Sequence, residues 1–377
     1  MAAVETIVVG AGITGLSIAY HLRERDAGPV LILERTGIGA EASGVQPGGV
    51  RQQWSTRENC ELARESFLFY RELGERLQVS LKPALEECGY LFVAESESTL
   101  AQMEAGVSRQ QSWGIPSVLL SAEEAFRIAP AIARGEILGA SYCAEDGYFD
   151  RPQSVVEAFA EAARARGVTI ERAEVTGLEA HGGGWAVKVA DGRRLIAGRV
   201  VVAAGYGTPE IFRPLGVELP IEKEAKHVFY SSPIRERLLE PLVVAPDSRF
   251  AAKQLADGRV LASDLRASGD PTFAADGWRG SVRDAFRRLT PVLEYVDLGL
   301  LVTGFYDMTP DHQAVIDEID DDLWVAAGFS GHGFMMAPAV GRAVAAALEG
   351  EPLGRRFLPF SWERFAGGEL LPETQVV

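Results

Sequence analysis

A chain of 377 residues is long enough for two domains, or for one core carrying a large insert. With 37 Lys and Arg against 53 Asp and Glu the formal net charge is −16, which excludes the basic face of a nucleic-acid binder. A 47% hydrophobic and 24% charged composition excludes a long disordered chain.

Residues 6–9 (TIVV) form a β-branched, continuously apolar run, the pattern of a strand buried on both faces. Gly10-x-Gly12-x-x-Gly15 follows at once, and Leu16, Ile18, Ala19 and Leu22 then recur at helical spacing. Gly28 and Pro29 break the chain, residues 30–33 read as a second buried strand, and Glu34 ends it. Gly10 permits the tight turn, Gly12 lets backbone N–H groups approach a pyrophosphate, and Gly15 lets helix and strand pack closely. The helix N-terminus favours the phosphates, and Glu34 suits the hydroxyls of an adenosine ribose. Such a carboxylate disfavours a 2′-phosphate and hence NADP, but it does not separate NAD from FAD.

Further along, residues 55–76 read as a helix with Ser55 as N-cap, 89–93 as a strand, 98–113 as a helix, and Ser121 as the capped start of a short one. Residues 152–165 are an amphipathic helix with Val155, Val156, Phe159 and Ala163 inward, ended by Gly167. Residues 185–189 and 194–196 flank Asp191-Gly192 as a β-hairpin. Residues 227–263 read as strand-rich, and a helix is expected over 278–289. Residues 199–207 (RVVVAAGYG) are a strand that ends in a turn of small residues. Residues 323–348 run from an apolar strand through Gly328, Gly331 and Gly333 into a helix, where Pro338 is tolerable only in the first turn. A second helix N-terminus offered by glycines is a second anion site, about 320 residues after the first. FAD, with a pyrophosphate and a flavin that becomes anionic on reduction, accounts for both.

Three scattered cysteines, Cys60, Cys88 and Cys143, give neither a disulfide framework nor a zinc ribbon. The five histidines form no i, i+4 pair, so no metal site is expected. No secretory leader and no run of 18 apolar residues is present, and a soluble, cytoplasmic protein is the expectation.

In order along the chain, GAGITGLSIAYHL, ILER, ASGVQPGGVRQQW, AEDGYFDRPQSVVEAFAEAARARGV, VVAAG, TGFYDMTPDHQAVI and AAGFSGHGFMMAPAVG make the sequence similar to D-amino-acid-oxidase-like flavoproteins. Within that family it resembles the sarcosine oxidase and glycine oxidase branch. VRQQW, GFSGHGFMMAPAVG and the late ERFAGGEL look most like the FAD-carrying subunit of archaeal-type L-proline dehydrogenase.

The resemblance implies an α/β architecture (α+β overall): a Rossmann-like FAD-binding domain of the glutathione-reductase type with a second, sheet-rich substrate domain. It assigns about 1–85, 145–220 and 300–365 to the FAD domain, and 86–144 and 221–299 to the substrate domain. It carries cofactor contacts onto Gly10, Gly12, Ile13, Thr14 and Gly15; onto Glu34 and Arg35; and onto Ser43, Gln46, Gly48, Gly49, Val50 and Arg51. The remaining contacts fall on Val175, on Ala203, Ala204 and Gly205, on Gly304, and on Gly331, His332, Gly333, Phe334 and Met335. The implied reaction is hydride transfer from the α-carbon of a secondary or cyclic amine or amino acid to flavin N5, followed by hydrolysis of the imine.

Arg51 matches an arginine beside the flavin; the alternative is an ion-paired surface arginine. Tyr306 falls where the branch places a substrate contact, or is plain core. His332 sits in a loop whose glycines outweigh its imidazole. The cysteine of cysteine-linked relatives is replaced by Gly304, and the histidine of histidine-linked relatives falls near Gln46 and is missing, so noncovalent FAD is expected. Trp54 and Met335 replace a carboxylate-binding Arg and Lys, which indicates a more apolar pocket, and Lys253 or Arg249 is left to supply a cation. An oxygen-activating lysine is replaced by an apolar residue near Val260, which favours a dehydrogenase. The electron acceptor is oxygen or an electron-acceptor protein, with a partner subunit implied by the dehydrogenase likeness. Other readings are the flavin subunit of a multi-subunit amino-acid dehydrogenase, or a 2-hydroxy-acid oxidoreductase on the same scaffold.

Overall fold

The computed structural model describes residues 4–368 and 370–375. Residues 1–3 of the first assigned FAD segment and Glu369 of the ERFAGGEL motif lie outside the described residues. Among the described residues the strands form two eight-stranded sheets and one two-stranded ladder.

The apolar run near the N-terminus is the strand Val4–Val9, with Ile7 and Val8 fully buried. It sits between Val30–Glu34 and Arg194–Val202, parallel to both, and the parallel set extends to Thr169–Arg172 on one side and Leu323–Ala327 on the other. Val315–Asp320 closes that end antiparallel. The hairpin Gly184–Val189 with Arg194–Val202 turns at Gly192, whose φ of 90° suits glycine alone, and Val175–His181 adds a third antiparallel strand. On one face lie the helices Ile13–Glu24, Arg57–Arg71, Pro152–Ala165 and Gly333–Leu348, sealing the largest apolar core. Close approach between two of them depends on Gly341, where a Cβ would fall 2.2 Å from the Ser17 Oγ.

The second sheet runs Leu300–Met308, Glu222–Tyr230, Val260–Asp264, Phe250–Gln254, Leu242–Ala245, Tyr90–Ala94, Gly139–Cys143, Val118–Ser121. Phe229, Phe250 and Phe286 fill its core under the helix Pro271–Leu289. Leu300–Met308, at the start of a segment assigned to the FAD unit, pairs along its whole length with Glu222–Tyr230 and belongs to this sheet.

Three element boundaries depart from expectation for local reasons. The helix expected over 278–289 begins at Pro271, because Asp270 caps the Thr272 amide at 2.9 Å and outweighs Gly277 and Gly280 inside it. The helix expected over 55–76 is split into Arg57–Arg71 and Leu73–Leu77, and Thr56 rather than Ser55 is its N-cap. Pro338 lies in the second turn of Gly333–Leu348, not the first. Among the described residues the three cysteines are free, no group of side chains could hold a metal, and no helix is long and apolar enough to cross a membrane.

Candidate active site

Between the two sheets runs a cavity of about 490 Å³, lined at one end by the first glycine-rich turn and at the other by the second. The turn at Gly10 is obligatory: its φ is +108°, and a Cβ there would lie 2.4 Å from the Ala203 carbonyl oxygen. Ile13 N donates to Ser43 Oγ at 3.0 Å, which fixes the following loop against the helix start. Glu34 is oriented by its neighbours, accepting from Ala11 N at 2.8 Å and from Thr36 N at 2.8 Å, and it lines the cavity.

Of the residues assigned from sequence, Gly10, Gly12, Ile13, Thr14, Glu34, Arg35, Ser43, Gln46, Gly49, Arg51 and Val175 line this cavity. So do Ala203, Ala204, Gly205, Gly304, Gly331, His332, Gly333, Phe334 and Met335, with Tyr306, Lys253 and Trp54. Gly15, Gly48 and Val50 do not. Gly15 serves packing, since a Cβ would come 2.1 Å from Gly10 O, and Gly48 abuts the Phe149 carbonyl at 2.2 Å in the same sense. Val50 is buried in the short ladder opposite Gly147. Arg249 is exposed in the turn before Phe250–Gln254 at φ +53°, away from the cavity, so it cannot supply the missing cation.

At the Gly331 end the wall becomes aromatic. Tyr306 packs on Gly331, where a Cβ would touch its ring at 2.4 Å. Trp54 and His332 lie with ring centroids 4.2 Å apart. Burial and the neighbouring Arg51 push the His332 imidazole well below its ordinary pKa, so it is neutral, and its Nε2 has no hydrogen-bond partner among the described residues. Arg51 is fully buried rather than ion-paired on the surface. Its guanidinium lies 3.5 Å from the Trp54 ring centroid and donates to Gln53 O at 2.5 Å and to Gln375 O, while Nε has no partner among the described residues. Burial lowers the Arg51 pKa, opposed by Tyr90, Glu373 and Asp146.

Deeper in the wall, Lys253 Nζ donates to Pro47 O and sits 3.7 Å from the Tyr148 ring centroid. Burial lowers its pKa to about 7. Lys253 is in register with Leu261, the residue after Val260. Sequence reasoning missed three carboxylates. Asp307 lines the cavity and accepts from Gly328 N at 2.8 Å; burial raises its pKa to about 6. Asp146 accepts from Gln52 N at 2.9 Å and Gln53 Nε2 at 3.1 Å beneath Arg51, and burial raises it to about 6. Glu373 is the third. Asp146 and Asp307 stood in motifs that sequence reading had noticed, and Glu373 did not.

These residues fit FAD. One helix start with Glu34 suits a pyrophosphate and ribose, and the orphaned polar atoms of Arg51 and His332 await partners at the opposite, aromatic end. The model of the DAO family, FAD dependent oxidoreductase, matches residues 5–347. FAD-dependent oxidoreductase domain-containing protein 1 of Bos taurus is 30% identical over 422 residues, covering 98% of this chain and 86% of its own. Glycine oxidase of Bacillus licheniformis is 27% identical over 366 residues, covering 93% of this chain and 94% of its own. The crystal structure of L-proline dehydrogenase from P. horikoshii superposes with a TM-score of 0.90 at 28% identity, over 98% of this chain and 99% of that one. Since the family match runs from the first buried strand through both glycine-rich helix starts, the chain belongs to the DAO family of FAD-dependent oxidoreductases.

Proposed function

We propose that the enzyme oxidises the carbon–nitrogen bond of a secondary or cyclic amine or amino acid, proline-like or N-methylated, to an imine that hydrolyses in water. The observation that carries this reading is the aromatic and apolar wall of Trp54, Tyr306, Tyr90 and Met335 around a single fully buried guanidinium, Arg51. FAD, when bound, supplies the acceptor for the hydride of the substrate α-carbon. The chain supplies the rest. Its aromatic wall excludes water and suits a ring methylene or N-methyl group. Neutral His332 offers one hydrogen bond at Nε2 without adding charge. Arg51 offers a fixed positive charge in a dry setting, where it counts most. Lys253 Nζ, with a pKa of about 7, exchanges a proton readily at neutral pH.

The FAD is held without a covalent link, since Gly304 and Gln46 carry no group that bonds to a flavin. The superposition on L-proline dehydrogenase favours a second version of the same chemistry, in which electrons leave to a protein acceptor or a partner subunit rather than to oxygen. One experiment tests both. The flavin-loaded chain is mixed anaerobically with proline, N-methylated amino acids, simple amines and 2-hydroxy acids, and air is then admitted. Bleaching of the flavin band by secondary amines is expected, and bleaching only by 2-hydroxy acids would refute the reading. Fast recovery in air marks an oxidase, and slow recovery relieved by an artificial acceptor marks a dehydrogenase.

A further inference from the structure

The segment 370–375 has no part in either glycine-rich site, yet it carries the most heavily hydrogen-bonded carboxylate beside the cavity. Glu373 is 1% exposed. It accepts from Ser55 N at 3.0 Å, Ser55 Oγ at 2.5 Å, Thr56 N at 3.3 Å, Thr56 Oγ1 at 3.1 Å and Asn59 Nδ2 at 3.0 Å. These groups form the start of Arg57–Arg71, a helix that receives no cap from its own N-cap side chain. Thr56 donates its hydroxyl hydrogen bond to Glu373 instead, so a carboxylate over 300 residues distant does the capping. The same segment is fastened on its other side to the turn that follows the Tyr306 strand. Glu373 N donates to Asp311 O at 2.9 Å, and Gln313 Nε2 donates to Leu371 O at 3.0 Å.

What this latch holds is the stretch 51–56, which carries Arg51 and Trp54 into the cavity. One terminal nitrogen of Arg51 is taken by Gln53 O and the other by Gln375 O, two residues beyond Glu373. Both anchors consume the outer edge of the guanidinium and leave Nε unpartnered among the described residues. We propose that Glu373 is a positioning residue: by latching 370–375 onto 55–59 it fixes the orientation of Arg51, and with it the charge offered to FAD. This inference rests on the FAD site and not on the amine reading.

The test is a double-mutant cycle on the midpoint potential of the FAD-loaded protein, measured by dye equilibration without substrate, so that a wrong substrate class leaves it intact. The four proteins are the parent, Glu373→Gln, Arg51→Met and the pair. If Glu373 acts through Arg51, Glu373→Gln shifts the equilibrium between oxidised and reduced FAD by about threefold or more in the parent and leaves it unchanged in the Arg51→Met background. An equal shift in both backgrounds means that Glu373 acts through its own charge, and no shift in either means that it serves only stability; each overturns the proposal. Ser55→Ala removes two of the latch contacts, the bond from Ser55 Oγ to Glu373 and that from Thr374 N to Ser55 Oγ, and replaces Glu373→Gln in the same cycle should that variant not load FAD.

Discussion

Lys253 shows how much one residue's setting can say about pH. Among the described residues its ammonium has one hydrogen-bond partner, Pro47 O, and one aromatic face, and burial keeps it from the water it would need for solvation. Unfolding returns it from about 7 to its ordinary value of 10.5. Between those values the unfolded chain binds more protons than the folded one, so stability rises with pH across that window. Below about pH 7 both states carry the proton and the whole penalty, on the order of 4–5 kcal/mol, is present. Lys253→Met is therefore expected to raise the melting temperature most at pH 6 and progressively less toward pH 10, each compared with the parent at the same pH. A gain that does not change with pH would show that the amine is not held near neutrality. At this scale the sequence was informative where the signal is local. Gly10, Gly12 and Glu34 stand in one short run with a turn and a helix start, so backbone sterics alone announce them. Glu373 and Ser55 are 318 residues apart, and nothing in the residues around either points to the other.

Pro338 illustrates the same limit for an element. Proline in a helix interior leaves the carbonyl four residues earlier without its donor, and a first-turn placement would have avoided that loss. The helix starts at Gly333, earlier than a first-turn Pro338 would require, and the backbone at 331–335 lines the cavity wall. The orphaned Phe334 carbonyl is rescued from the neighbouring helix, Arg57–Arg71, whose Tyr70 donates its hydroxyl to it at 2.6 Å. Ser66 of that helix accepts from Ala339 N at 3.1 Å. Burial pushes the Tyr70 phenol well above its ordinary pKa, which keeps the proton available for donation. Tyr70→Phe keeps the ring stacked on Phe334 and removes only the donor, leaving a buried carbonyl unpaired at a cost of about 1–3 kcal/mol. In a Pro338→Ala background the helix supplies its own N–H, and the cost of Tyr70→Phe is expected to fall close to zero. Urea unfolding of the four proteins measures both numbers; equal costs in the two backgrounds would mean that Tyr70 does not substitute for the missing amide.

For the whole molecule, the cavity draws its lining from both sheets. The first sheet, its loops and its helices contribute Gly10, Glu34 and Ala203, while the second, mixed sheet contributes Lys253, Gly304 and Tyr306. The buried central strands Val4–Val9 and Val30–Glu34 were readable because a parallel strand covered on both faces is continuously apolar. That Leu300–Met308 crosses to the second sheet was not readable, since its partner strand lies some 70 residues earlier and register is set by tertiary pairing. FAD binds the folded chain and not the unfolded one, so added FAD is expected to stabilise the fold, by about 2.7 kcal/mol at a hundred times its dissociation constant. Neither Gly304, whose Cβ position meets Val45 O at 2.6 Å, nor Gln46, whose amide is engaged with Gly48 N at 2.9 Å and Ser43 O at 3.3 Å, presents a nucleophile to a flavin. Acid precipitation is accordingly expected to leave all of the flavin in the supernatant, and the refolded chain is expected to recover its melting temperature as FAD is titrated back. Flavin fluorescence that travels with the denatured polypeptide on a gel would show a covalent bond and would place a linking residue outside these two positions.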